Sequence, residues 1–141
     1  MLDFNDTQKM FQRLATASFK PLLKDIGTAI RDSIQTKTSQ GFDATGSRFS
    51  PYTDVYRQMK TFKGLYPPVN LKLSGKMLGD LSQAETDKEC RVGFRTTSSA
   101  LIASYNQEGR TPRHFFDVSQ EADKEINRLV NDFINGILKG I

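Results

Sequence analysis

Apolar residues recur in a helical rhythm at the start of the chain. Phe11, Ala15, Phe19, Leu22, Ile26, Ile30 and Ile34 follow one another at steps of three or four and line one face of a helix. The spacing predicts helix from Thr7 to Ser39, with Asn5 or Asp6 as its cap. Pro21 lacks an amide hydrogen and clashes with the preceding turn, so the helix is expected to bend or split near Phe19. Gly41 is a natural stop. A second helical stripe closes the chain. Ala122, Ile126, Leu129, Phe133 and Ile137 form it, and Val130, Ile134 and Leu138 widen it. Asp117 or Ser119 caps this helix, and Glu121, Asp123 and Glu125 suit its positive end.

The pattern between the two helices is shorter in period or absent. Ser74-Gly75 can cap a helical turn through Met77 and Leu78. Leu81–Thr86 and Cys90–Phe94 read as a hairpin about the turn Thr86–Glu89, with Cys90, Val92 and Phe94 on one face. Ala100–Tyr105 is apolar, and its pattern fits helix or strand. His114-Phe115-Phe116 fits a last strand. Residues 42–71 follow no period and are rich in Gly and Pro, which predicts a long flexible loop or arm within a single domain spanning 1–141. Ser50-Pro51 can open a short helix over Thr53–Lys60 within it. The class expected is α+β: a long N-terminal helix kinked near Pro21 and a C-terminal helix, packed on a small, mostly antiparallel sheet.

Composition narrows the possibilities. At 141 residues the chain has the size of one domain. Ten Phe and four Tyr supply bulky core material without any Trp. No apolar run approaches the ~18 residues of a spanning helix. The opening Met1–Asp6 is acidic and polar, unlike a secretory leader. One cysteine, Cys90, forms no internal disulfide, and its alternation with Val92 and Phe94 marks it as a small core residue.

Charge is uneven. Residues 1–79 hold 12 Lys/Arg against 6 Asp/Glu, and residues 80–141 hold 8 against 10. The excess peaks between Arg48 and Lys76, where Arg57, Lys60, Lys63 and Lys72 face Asp54 alone. Phe49, Tyr52, Tyr56, Phe62 and Tyr66 are interleaved with these cations. Such a segment can be a solvated loop, or can attract nucleic acid or an acidic protein surface. Arg48, Phe49, Tyr52, Tyr56, Arg57, Lys60, Phe62, Lys63 and Tyr66 are therefore the candidate assembly interface, a surface suited to ordering against a partner.

Catalytic chemistry finds little support. His114, the only histidine, stands beside two Phe residues and has no evident nucleophile partner. Zinc wants three or four Cys, His or carboxylate ligands, and no such spacing occurs. Leu73-Ser74-Gly75-Lys76-Met77 lacks both the glycine at 70 and the hydroxyl at 77 of a phosphate loop. No enzyme, metal or cofactor is expected.

Five short signatures occur in order. They are Gly41-Phe42 after the first helix; Gly46, Phe49, Pro51 and Tyr52; Leu71 followed by Ser74, Gly75 and Leu78; Val92-Gly93 in a strand; and Tyr105-Asn106 with Gly109, then Pro112, Arg113 and Phe115, before the last helix. In this order the chain resembles the tailed-phage virion morphogenesis proteins, which include tail-completion, neck and head–tail joining proteins. Phe49 stands where that pattern usually has Trp, and Asn106 where it commonly has His.

The resemblance implies a small α+β protein without catalysis, a virion component present in host cytoplasm during assembly. It implies a ring at the head–tail junction or tail end, with connector, head-closure, tail-terminator or tail-tube proteins as partners. The free chain would be a monomer or weak oligomer, with contact to genome DNA possible and none to a membrane. Gly46, Ser74, Gly75, Gly93, Gly109, Pro112, Arg113 and Phe115 are the motif positions. At Gly46, Gly75 and Gly109 the backbone dihedrals are expected to exclude a side chain. Arg113 can cap a helix end, pair with Glu108 or contact a partner. The alternative reading is a small basic nucleic-acid-binding module that tracks a strand with Arg48–Lys76.

Overall fold

The computed structural model describes residues 4–50, 76–109 and 111–140. The chain runs α1 (Phe4–Thr16), α2 (Lys20–Ser39), α3 (Lys76–Gly79), β1 (Leu81–Glu85), β2 (Cys90–Phe94), α4 (Thr97–Glu108) and α5 (Gln120–Leu138). These described elements form an α+β arrangement of five helices and one antiparallel hairpin.

The long helical pattern divides at residues 17–19. Pro21 falls in the first turn of α2, where a missing amide hydrogen has no partner to lose. At the other end of α2, Gly41 takes φ +87°. The Gly41 amide donates to Thr38 O at 3.0 Å and the Phe42 amide to Lys37 O at 2.9 Å. This paired closure ends the helix and turns the chain back on itself. Only a residue that tolerates the left-handed region fits there.

The hairpin pairs Leu81 with Phe94 and Glu85 with Cys90. Its turn is held by the Thr86 hydroxyl, which accepts the amides of Lys88 and Glu89 at 3.2 Å. Helix α2 lies between this hairpin and α5, and α1 packs on α5. β1 crosses α2 closely at Gly27, whose missing side chain leaves space for Gln83. Gln83 fixes that crossing by donating to Lys24 O at 2.9 Å and accepting the Thr28 hydroxyl at 3.1 Å.

The core gathers Ile34, Phe49, Met77, Leu78, Leu81, Ala103 and Phe115, with Ile30, Val92, Phe94 and Phe116 packed against it. Phe115 lies at its centre, 1% exposed. The outward stripe of β2 is polar at Arg91, as the alternation predicts. The undecided segment 100–105 is helical, within α4. Its N-cap is Thr96, whose hydroxyl accepts the Ser99 amide. Ser119 caps α5 in the same way, accepting the Ala122 amide at 3.1 Å.

Three expectations are corrected. His114-Phe115-Phe116 is not a strand. The Phe115 amide turns back to Arg113 O at 2.8 Å, and the Phe116 amide is taken by the Gln107 side chain at 3.1 Å, so neither is free for a ladder. Gly109 has φ −75°, which any residue adopts. Glycine is required there because a Cβ would overlap the Tyr105 carbonyl oxygen. The stripe of α5 is also shallower than its periodicity suggests. Only Ala122 is fully buried, and Ile126, Leu129 and Phe133 are half-buried.

Candidate functional site

The segment from Gly41 to Ser50 is a tight turn built around one carboxylate. Asp43 Oδ1 accepts the amides of Thr45 and Ser47, both at 2.9 Å, and the Thr45 hydroxyl at 2.7 Å. Partial burial works against ionisation of Asp43. The hydrogen bonds from the Thr45 side chain and the Ser47, Thr45 and Gly46 backbones outweigh it and hold the carboxyl below its usual range. Gly46 completes the turn with φ +91°, a conformation that disfavours a side chain. Phe42 and Arg48 form an isolated antiparallel bridge across it, and the Arg48 guanidinium lies 5.0 Å from the Phe42 ring centroid.

This turn docks on residues 113–115. The Ala44 amide donates to His114 O at 3.0 Å, and Arg113 Nε donates to Ser50 O at 3.2 Å. The Arg113 amide also donates to Asn106 O at 2.6 Å, closing the last turn of α4. Arg113 thus joins three parts of the chain: the end of α4, the approach to the core, and the point where residues 51–75 depart. Phe49, read from the sequence as interface, is 7% exposed and belongs to the core with Phe115. Met77 and Leu78, just after residue 75, enter the same cluster. Both flanks of residues 51–75 are therefore rooted in one core.

A second polar node joins α3, the hairpin and α4. The Asp80 carboxylate accepts the Ser99 hydroxyl at 2.5 Å and the Thr96 hydroxyl at 2.6 Å. Those two bonds, with the charges of Lys76 and Arg95 nearby, keep its carboxyl below its ordinary value against a small opposing effect of burial. Sequence reading did not single out Asp80. Its signal was a carboxylate just after a short helix, facing hydroxyls at a helix start.

Tyr52, Tyr56, Arg57, Lys60, Phe62, Lys63 and Tyr66 lie outside the described residues, as do Ser74, Gly75 and the short helix expected over Thr53–Lys60. Of the remaining positions, Arg48 is exposed, Pro112 lies in exposed coil, and Gly93 pairs with Ser82 in the hairpin.

Two apolar surfaces are left uncovered. Helix α1 buries no residue, and its Phe4 and Phe11 are 75% and 66% exposed. Helix α4 is turned inside out: small Ser99 and Ala103 face the core, while Leu101, Ile102 and Tyr105 are 51%, 45% and 65% exposed. A cleft of about 250 Å³ also opens between α2, β2 and residues 116–118, lined by Ile30, Ile34, Cys90, Val92 and Phe116. Among the described residues no group of three His, Cys, Asp or Glu side chains converges as metal ligands would, and no helix is long and apolar enough to cross a membrane.

The small α+β core thus leaves large apolar side chains exposed on two helices, surface of a kind that marks protein contact sites when it is contiguous. The chain belongs to the phage virion morphogenesis family, whose family model matches residues 2–132 of its 141. It is thus a phage virion-associated protein. No curated protein and no solved structure matches it.

Proposed function

We propose that this chain is a non-enzymatic structural protein of a tailed phage or prophage, acting at the head–tail junction or tail end as a neck or tail-completion component. It builds a ring there and meets connector, head-closure, tail-terminator or tail-tube proteins. The family match over residues 2–132 carries the reading, because it spans the same elements that hold the uncovered apolar side chains. Exposed Phe and Tyr residues are enriched where proteins dock, and a solitary soluble domain rarely keeps so many.

Electron microscopy of particles assembled without the protein tests this. Separate filled heads and finished tails are expected. Normally joined, tail-complete particles would defeat the reading. A nucleic-acid-binding module is the competing class. Gel-shift titration over a salt series would reveal it through tight binding with a steep salt slope, since each neutralised phosphate releases counterions.

A further inference from the structure

A cyclic ring of more than two copies cannot close through one self-complementary patch. Each copy needs two different surfaces, one for each neighbour. The two uncovered apolar faces meet that requirement. They sit on elements with different neighbours: α1 packs on α5, whereas α4 packs on α3 and β2. We infer that α1 of one copy docks on the outer face of α4 in the next copy, head to tail; the inference rests on the ring reading above.

The two faces differ in form. On α1, Phe4 and Phe11 are seven residues apart and so project about 10 Å from each other along one side of the helix. On α4, Leu101 and Tyr105 stand one turn apart with Ile102 beside them, forming a short apolar strip.

Area also supports the pairing. Large side chains bury roughly 150–250 Å² each, so the exposed parts of these five amount to roughly 600 Å². A stable interface removes about 1,200–2,000 Å² in total. The anchors therefore provide a third to a half of what is needed, and the remaining exposed residues of both helices can supply the balance. All five side chains lie on the surface, so replacing them leaves the core intact.

Cysteine cross-linking tests the pairing even if association in solution is weak, because a disulfide traps transient contacts. The background is the full chain with Cys90→Ser. The double variant Phe11→Cys/Tyr105→Cys, mildly oxidised, should give a ladder of dimers, trimers and larger species. Phe11→Cys mixed with Tyr105→Cys should give dimers containing one of each and nothing larger. Each single variant alone should stay monomeric. A single variant that dimerises efficiently by itself would show a face-to-face contact and overturn the proposal, as would a double variant that forms no intermolecular species. A ladder obtained while particles lacking the protein still join normally would uphold the pairing and remove the junction role. A ring visible at the joint without any ladder would do the reverse.

Discussion

Helices α1 and α2 come from one continuous apolar rhythm, yet they have opposite fates. Helix α2 is the centre of the molecule. It buries Leu22, Gly27, Ile34 and Thr38, and it touches both strands and α5. Helix α1 continues the same spacing and buries nothing. The difference lies in what each helix has to pack against. α2 meets a hairpin on one side and α5 on the other. Among the described residues, α1 packs chiefly on α5, whose own large residues are half-covered. Periodicity reports that a helix has an apolar face. What covers that face depends on the rest of the chain, or on another chain.

The sharpest way to break this comparison is to remove a side chain from the stripe of α2. Ile34 is 3% exposed in the core cluster. Ile34→Ala should cost about 2–5 kcal/mol, from lost transfer energy plus the cavity left behind. Thermal or urea unfolding would register it. A loss below about 1 kcal/mol would mean that α2 is not the centre of the core.

Phe133 sits where the two regimes meet. Its ring packs 5.5 Å from that of Phe19, between the two helices, and it is half-buried. Because only part of its surface leaves water on folding, Phe133→Ala should cost about 1–2 kcal/mol, less than Ile34→Ala. Equal costs for the two variants would erase the distinction between a buried and a shallow stripe.

Acid should weaken the hairpin side of the molecule. The Asp80 carboxyl is held below its ordinary value by Ser99 and Thr96. A group with a lowered folded value adds stability that is complete above its unfolded value and disappears as pH falls through the folded one. Stability should therefore decline from about pH 4 downward. Asp80→Asn should show a flatter acid profile when unfolding midpoints are measured over that range. An unchanged profile would remove Asp80 from the account.

The smallest effect belongs to α1. Phe11→Ala should change stability by no more than about 0.5 kcal/mol, since the ring is already exposed. Its effect should appear in association, read by sedimentation or by virion yield. A large fall in melting temperature would mean that the ring is covered within the monomer.

Much of this architecture was legible because local rules and packing agree. Pro21, Gly41, Ser119 and the alternation through Cys90–Phe94 each act within a few residues, and the structure places helix breaks, caps and the hairpin accordingly. The errors came from segments whose partners are distant. His114–Phe116 looked like a strand because its side chains are apolar, but its amides are claimed by Arg113 and Gln107. Phe49 sat among cations in sequence and looked like surface, yet the Asp43 turn carries it into the core beside Phe115. The outward face of α4 was missed for a related reason. Apolar residues in a short undecided element suggest burial, and only the packing of Ser99 and Ala103 shows that the larger side chains point away.

Hydroxyl-radical footprinting of Phe4 and Phe11, in the free chain and in assembled particles, tests the central claim most directly. These rings should oxidise readily in the free protein, several-fold faster than Phe115, and become protected in the particle. Protection already present in the free chain, or equal labelling in both states, would contradict an apolar face left open by folding and closed by assembly.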